Sequence, residues 1–463
     1  MAGKSTKITT VRELPSVEEA LGSPALESGA SDVPRPLLVD CVRAALADAR
    51  ERLQSGAAGV TLQSIEAAIL KRATQLRREG PVRVINCAGA LAHTNLGRAP
   101  FSAAYLSQMS DRLAGYCALE FDLASGKRGS RGVALERALC ALTGAEAALV
   151  VNNCAAAVFL TLNTLSNRKE TIVSRGELVQ IGGGFRVPAI MKQSGAKLIE
   201  VGATNITTLA DYQGAIGPKT ALLLKVSKSN FTQHGFVEEQ DVKALSALAR
   251  ERNLPLAFDL GSGLPVDPRE VGLDGHDSLR SALTQGADIV CASGDKLFGS
   301  VQAGIILGAA DYLKRLRQNP VYRALRPDKF TLAILHDSVN AYLDGSWKTD
   351  IPFWRLALRA ESELYQLGRE IIERLNADGV LTLEAVSARY GGGALPEVEL
   401  PSCALAFSAE RNATALARKF RDLSVPIIGR VEHDRFMLDL RALMPEDEPA
   451  FRDGLATVLK SLS

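Results

Sequence analysis

Between residues 84 and 310 the chain repeats one pattern, in which short apolar runs alternate with helical stretches. The runs are Ala147 to Val151, Thr171 to Val173, Lys197 to Val201, Ala221 to Val226, Leu254 to Phe258, Ala287 to Ala292 and Ala303 to Leu307. Helical periodicity falls between them, for example at 134–143, 155–165 and 240–252. Strands and helices in alternation predict an α/β domain, with a mostly parallel central sheet and helices on both faces.

At 463 residues the chain is too long for one ordinary domain, and 46% hydrophobic content with 39 glycines suits a large glycine-punctuated core plus smaller pieces. The pattern changes along the chain, which predicts an N-terminal helical domain with its linker over 1–80, the α/β domain over 81–330 and a small α+β domain over 331–463. The first of these carries two amphipathic helical patterns, at about 37–54 and 61–79, separated by Gly56 and Gly59. The last has longer helical patterns and then strand-like runs, including Cys403 to Phe407 and Phe436 to Leu440, with Gly391, Gly392 and Gly393 read as a loop.

A net charge of +2 announces no nucleic-acid binder. Locally, however, nine basic residues against five acidic ones between Arg35 and Arg83 leave an excess of +4. A solvated helical face explains that excess, and so does a surface for an RNA backbone. The seven cysteines are odd in number and contain no C-x-x-C pair, so they are expected as reduced residues, neither metal ligands nor a disulfide frame. No apolar stretch has the length of a membrane span and Met1 to Thr10 lacks a signal-peptide core, so a cytoplasmic location is expected. Gly3-Lys4-Ser5 imitates the end of a phosphate-binding loop without the upstream glycine or strand, and is set aside.

Lys296 lies just past the apolar run that ends at Ala292, in Ser293-Gly294-Asp295-Lys296-Leu297-Phe298-Gly299. Open α/β sheets place ligands at that end of a strand, and lysine is the side chain whose neutral amine forms Schiff bases with carbonyls. Asp259 follows the run Leu254 to Phe258 and precedes Leu260-Gly261-Ser262-Gly263; a buried carboxylate there suits a pyridinium nitrogen. Asn152, Asn153 and Cys154 lead into the small-residue helix start at Ala155, whose free amides suit a phosphate. Arg98, and Arg323 with Arg326 three residues on, are the natural clamp for a small anion. Each feature alone has an ordinary reading as a surface lysine, a turn aspartate, an asparagine cap or salt-bridging arginines.

The set resembles the bacterial selenocysteine synthase family, the L-seryl-tRNA(Sec) selenium transferases. Motifs that carry the resemblance run in order from Arg12 to Val17, Val84 to Asn86, His93 to Ala99, Gly126 to Arg131 and Val150 to Asn153. They continue through Ser174 to Val179, Asp259 to Gly263, Gly294 to Leu297, Arg323 to Arg326 and Ile428 to Arg430. The resemblance implies a fold-type-I enzyme using pyridoxal 5′-phosphate, with Lys296 as the cofactor lysine and Asp259 as the pyridinium partner. It places the cofactor phosphate at Asn153, Cys154 and Ala155, with Ser262 nearby, and the selenium donor, selenophosphate, at Arg98, Arg323 and Arg326. It further implies seryl-tRNA(Sec) as substrate, recognised by the N-terminal domain, and a homodecamer built from dimers with active sites at dimer interfaces.

Ser227 stands where the family usually carries histidine, Ser300 and Val301 replace a usual Gly-Pro before Gln302, and Cys154 replaces a usual asparagine. Two rival readings share the fold: a lyase acting on a free amino or sugar acid, and a non-catalytic RNA-binding relative. The N-terminal helical domain argues against the first, and the presence of Lys296, Asp259 and three arginines argues against the second.

Overall fold

The computed structural model describes residues 7–57, 59–181 and 185–462, so Gly3-Lys4-Ser5 lies outside the described residues. The chain divides into two compact units, Met1–Val84 and Ile85–Ser463.

In the first unit, helices α1 (Arg35–Gln54) and α2 (Leu62–Glu79) pack together. Cys41, Val42, Ala45, Leu46 and Ala49 recur at helical spacing on one face of α1 and bury against Ile65 and Ile69 of α2. Thr61 starts α2 by accepting from the Ser64 amide, while Ser64 accepts from Thr61 in return. Among the basic residues of this unit, Arg35, Arg43, Arg72 and Arg77 are ion-paired to Glu18, Asp40, Asp48 and Asp32. Arg50, Arg52 and Lys71 are exposed and carry no ion pair among the described residues.

The second unit is built on a seven-stranded sheet. Its strands are β1 (Ala147–Val151), β2 (Glu170–Ser174), β3 (Lys197–Val201), β4 (Thr220–Val226), β5 (Leu256–Gly261), β6 (Ile289–Ser293) and β7 (Gly304–Gly308). They lie in the order β1-β7-β6-β5-β4-β2-β3. β2 through β6 pair in parallel, whereas β7 runs antiparallel to both β6 and β1. The ten residues between Ser293 and Gly304 explain the exception, because a parallel return needs a longer crossover. Lys296 sits in that short connection.

Alternate residues of each strand feed two cores. Val150, Leu223, Phe258, Val290 and Ile305 face one, and Leu149, Val173, Leu224, Ala257, Ile289 and Ile306 face the other. Helix α3 (Cys154–Leu165) covers the second face, and α4 (Val242–Glu251) the first. Sheets buried on both faces lack polar alternation, which is why the strands read as plain apolar runs.

The smaller sheet comprises β8 (Leu381–Gly391), β9 (Glu399–Phe407) and β10 (Arg435–Asp439), with short strands Arg430–Glu432 and Ala90–Ala92 at its edges. Phe407, Phe420 and Phe436 centre its core, the last two rings stacked 5.1 Å apart. Three boundaries differ from the sequence reading. Ala90–Ala92 pairs with β8 and Ile85–Asn86 with Ile427–Ile428, so the segment assigned to the α/β domain serves the C-terminal sheets; strands this short show no periodicity. The helix Lys329–Asp344 buries Leu332, Leu335 and Val339 in the large-sheet core, so that core extends past residue 330. Gly391 is the last residue of β8, registered against Ala92, and is not loop.

Candidate active site

Strand β6 ends at Ser293, and the chain turns through Gly294, Asp295 and Lys296 before Gly299, whose amide donates to the Lys296 carbonyl at 2.9 Å. The turn is held from beneath by the Leu297 amide on the Ser262 carbonyl at 3.0 Å. Gly263 makes that approach possible, since it has φ +74° and a Cβ there would come 2.6 Å from the Ser293 carbonyl oxygen. Lys296 is only 5% exposed, and no hydrogen bond or ion pair holds its side chain among the described residues. It lines a cavity of about 240 Å³ together with Arg98, Asn153, Cys154, Asp259 and Asp295. A buried side-chain nitrogen held by no hydrogen bond is costly, so such a position points to a ligand.

Asp259 lies within β5, level with Val226 on one side and Cys291 on the other, and the register with β6 shifts between Asp259 and Gly261. The sequence reading put it just past the strand; the strand instead begins two residues later, after Pro255, and carries Asp259 inside the sheet. Burial pushes its carboxyl up to about 6, with Lys296 and the Cys154 thiol pulling the other way. The Cys154 sulfur stands 3.6 Å from Oδ1. No protein donor reaches Oδ2 among the described residues.

Asn153 caps α3, its side-chain oxygen accepting from the Ala156 amide at 2.8 Å. The amides of Cys154 and Ala155 find no protein acceptor among the described residues and open on the same cavity. Gly304 of β7 has no side chain to block the Asn153 carbonyl that packs against it. Arg98 has φ +65°, held by its amide on the His93 carbonyl at 3.0 Å. Its Nη1 donates to both Asp295 oxygens, at 3.0 and 3.1 Å.

The remaining expected residues fall elsewhere. Ser262 lines a neighbouring cavity of about 310 Å³, which shares Val226, Ser227 and Ser229 with the first. Arg323 is exposed in the short helix Pro320–Ala324, and Arg326 lies beyond its end, so the two do not share a helical face. Pro327 is the reason, since a residue before proline is driven away from helical geometry. Arg326 approaches Glu120 at 3.7 Å, a carboxylate also held by Arg128 and Arg131 at 2.9 Å each. Neither Arg323 nor Arg326 lines the Lys296 cavity.

The family model described as L-seryl-tRNA selenium transferase matches residues 84–444, and one described as selenocysteine synthase N terminal matches 11–50. The chain belongs to the L-seryl-tRNA selenium transferase family. It is 40% identical to the L-seryl-tRNA(Sec) selenium transferase of Geobacter sulfurreducens, over 97% of this chain and 99% of that protein. With the Aquifex aeolicus enzyme of the same name it shares 43% identity, over 81% of this chain and 84% of that one. Among solved structures, D-glucosaminate-6-phosphate ammonia-lyase aligns with TM-score 0.60 at 17% identity, over 83% of this chain and 98% of that chain, which shows a shared fold.

The family member is a fold-type-I, pyridoxal 5′-phosphate-dependent transferase, and the residues present fit that cofactor. Among the described residues Lys296 is a buried amine without a hydrogen-bond partner, Asp259 has one unclaimed carboxylate oxygen, and the amides of Cys154 and Ala155 are free at the start of a helix. Sequence reasoning did not single out Ser229 or Gln302, which also line the cavity, nor the grip of Asp295 on Arg98. Gln302 had one usable signal, its place at the end of the Lys296 connection. Among the described residues no cluster of potential metal ligands occurs, and no helix is long and apolar enough to cross a membrane.

Proposed function

We propose that this chain converts L-seryl-tRNA(Sec) to L-selenocysteinyl-tRNA(Sec), with selenophosphate as the selenium donor. The observation that carries the reading is the joint burial in one cavity of Asp259 and of Lys296, which no hydrogen bond or ion pair holds among the described residues, within a chain that the family model spans over 84–444.

Bound at Lys296, the cofactor would supply an electron sink that allows the seryl α-proton and β-hydroxyl to leave as water and the selenium of selenophosphate to add at the β-carbon, its P–Se bond being cleaved by water with release of phosphate. Lys296 would hold the cofactor at rest, and its amine, when free, would be the base for the seryl α-proton. Asp259 is assigned to the ring nitrogen, whose proton its carboxylate retains. The amides of Cys154 and Ala155, with the Asn153 cap fixing their direction, are assigned to the cofactor phosphate. Asp295 fixes Arg98 at the edge of the same cavity, ready to orient an anionic selenium donor.

Arg323 and Arg326 are assigned to the selenophosphate pocket as well, completed where copies of the chain meet as dimers within a decamer. Residues 1–80 are assigned to tRNA recognition, supported by the unpaired, exposed Arg50, Arg52 and Lys71. We place the protein in the cytoplasm, where its tRNA substrate is made.

Incubation of the full chain with seryl-tRNA(Sec), selenophosphate and pyridoxal phosphate is expected to yield selenocysteinyl-tRNA by mass spectrometry. Seryl-tRNA recovered unchanged, beside release of ammonia from a free amino acid, would overturn the reading in favour of a lyase. Deletion of residues 1–80 is expected to abolish seryl-tRNA(Sec) binding; retained binding removes the recognition role.

A further inference from the structure

Asp259 has a neighbour whose chemistry the reaction outlined above does not use. Cys154 opens α3 while Asp259 lies in β5, so only the folded sheet brings the thiol to the carboxylate, 3.6 Å from Oδ1. Among the described residues this is the sole side-chain donor on Asp259. Cys291 stands level with Asp259 on β6, yet its sulfur is engaged by the Thr161 hydroxyl at 3.6 Å. Of two adjacent thiols, one is directed at the carboxylate.

We propose that Cys154 is a positioning residue for the cofactor: its S–H donates to Oδ1 of Asp259 and so turns Oδ2 toward the ring nitrogen of pyridoxal phosphate. The inference rests on the assignment of Asp259 to that nitrogen. Two further observations support it. Cys154 and Asp259 line the same cavity as Lys296, whose buried amine has no protein partner there. Burial beside Asp259 also pushes the Cys154 thiol well above its ordinary range, so it keeps the proton it donates.

The strength of the donor matters because Asp259 sits near the point of losing its charge, burial having pushed it up to about 6. Without a donor the carboxyl takes up a proton more readily and holds the ring nitrogen's proton less well. With strong amide donors it becomes a poorer base and competes less for that proton. A thiol lies between the two, being a weak donor. The other charged or titratable groups in the cavity are Lys296, Asp295 with its partner Arg98, and behind Asp259 the thiol of Cys291.

The test uses the full chain loaded with pyridoxal phosphate, as wild type, C154A, C154S, C154V and D259N. Two quantities are read, the dissociation constant for pyridoxal phosphate and the pH midpoint of the bound cofactor's visible absorbance. C154A and C154V are expected to weaken binding about three- to tenfold, the worth of one modest hydrogen bond, and to move the midpoint upward. D259N is expected to move the midpoint further in the same direction, and C154S to restore both quantities because it returns a donor. The proposal is overturned if C154A changes neither quantity, if C154V restores them through bulk alone, or if C154S behaves as C154A does. If D259N itself leaves the midpoint in place, the assignment of Asp259 fails and the role of Cys154 with it; if D259N shifts it and C154A does not, only the role of Cys154 fails.

Discussion

The two halves of the proposed chemistry are built differently. The cofactor half, Lys296, Asp259 and the start of α3, comes from β6, β5 and β1, strands of one sheet whose ends converge on one cavity. The arginine half is divided: Arg98 reaches that cavity, whereas Arg326 stands with Arg128 and Arg131 around Glu120, and Arg323 faces solvent. Residues at strand ends are brought together by hydrogen-bond register, which the backbone enforces. Residues on turns and short helices have no such constraint, and their convergence depends on what packs against them.

The largest effect is expected at Lys296. Lys296→Ala removes both the covalent anchor and the base, so turnover should fall by about 10³-fold or more and the protein should lose its visible absorbance on gel filtration. Full turnover with retained cofactor would dissolve the cofactor half as described. Asp259→Asn should cost turnover roughly 10²-fold, as expected for losing a charge partner worth about 3 kcal/mol.

Asp259 also makes a stability prediction with a definite sign. Its folded value of about 6 lies above the ordinary 3.8, so the stability linked to this group is fully present below pH 3.8 and is lost as pH rises through 6. Denaturant titrations of the cofactor-free protein should therefore show D259N gaining up to about 3 kcal/mol relative to wild type above pH 6, and little below pH 4. Equal stability of the two proteins at pH 8 would contradict a carboxylate whose burial outweighs the pull of Lys296 and Cys154.

The arginine half is sharpened by single substitutions read against selenophosphate. Arg98→Ala should raise the KM for selenophosphate by about 10- to 100-fold through loss of a charge-assisted contact, with seryl-tRNA binding unchanged. Arg323→Ala and Arg326→Ala should act in the same direction in the assembled protein. If only Arg98 matters, the Glu120 cluster is structural. The smallest effects belong to the first unit, where Arg50→Ala, Arg52→Ala and Lys71→Ala should each weaken tRNA binding a few-fold. Each should also lower the salt dependence by about one unit of slope; an unchanged slope would leave that face merely solvated.

Much of this was legible in the chain. All seven strands of the large sheet were visible as mostly apolar runs because most are largely buried; edge strand β3, with exposed Lys197 and Glu200, is the exception. Lys296 and Asp259 were candidates because strand-end positions in such a sheet are where ligands bind, and the structure brings both to one cavity. The Glu120 cluster was not legible, since nothing in the spacing of Arg128, Arg131 and Arg326 says that one carboxylate gathers them. Nor was the end of the helix Pro320–Ala324, which Pro327 stops short of Arg326 although Arg323 and Arg326 lie three residues apart.

Local pattern thus determined the strands, the capped helix start at Asn153 and the chemistry available at Lys296 and Asp259, because periodicity and residue type act over a few neighbours. Tertiary structure alone decided that Arg98 meets Asp295 across 197 residues. It also decided that Ser262 turns to a second cavity and that the Cys154 thiol rests on Asp259. These depend on which distant segments the sheet brings side by side, and a hydrogen bond forms only when donor and acceptor come within a few ångströms.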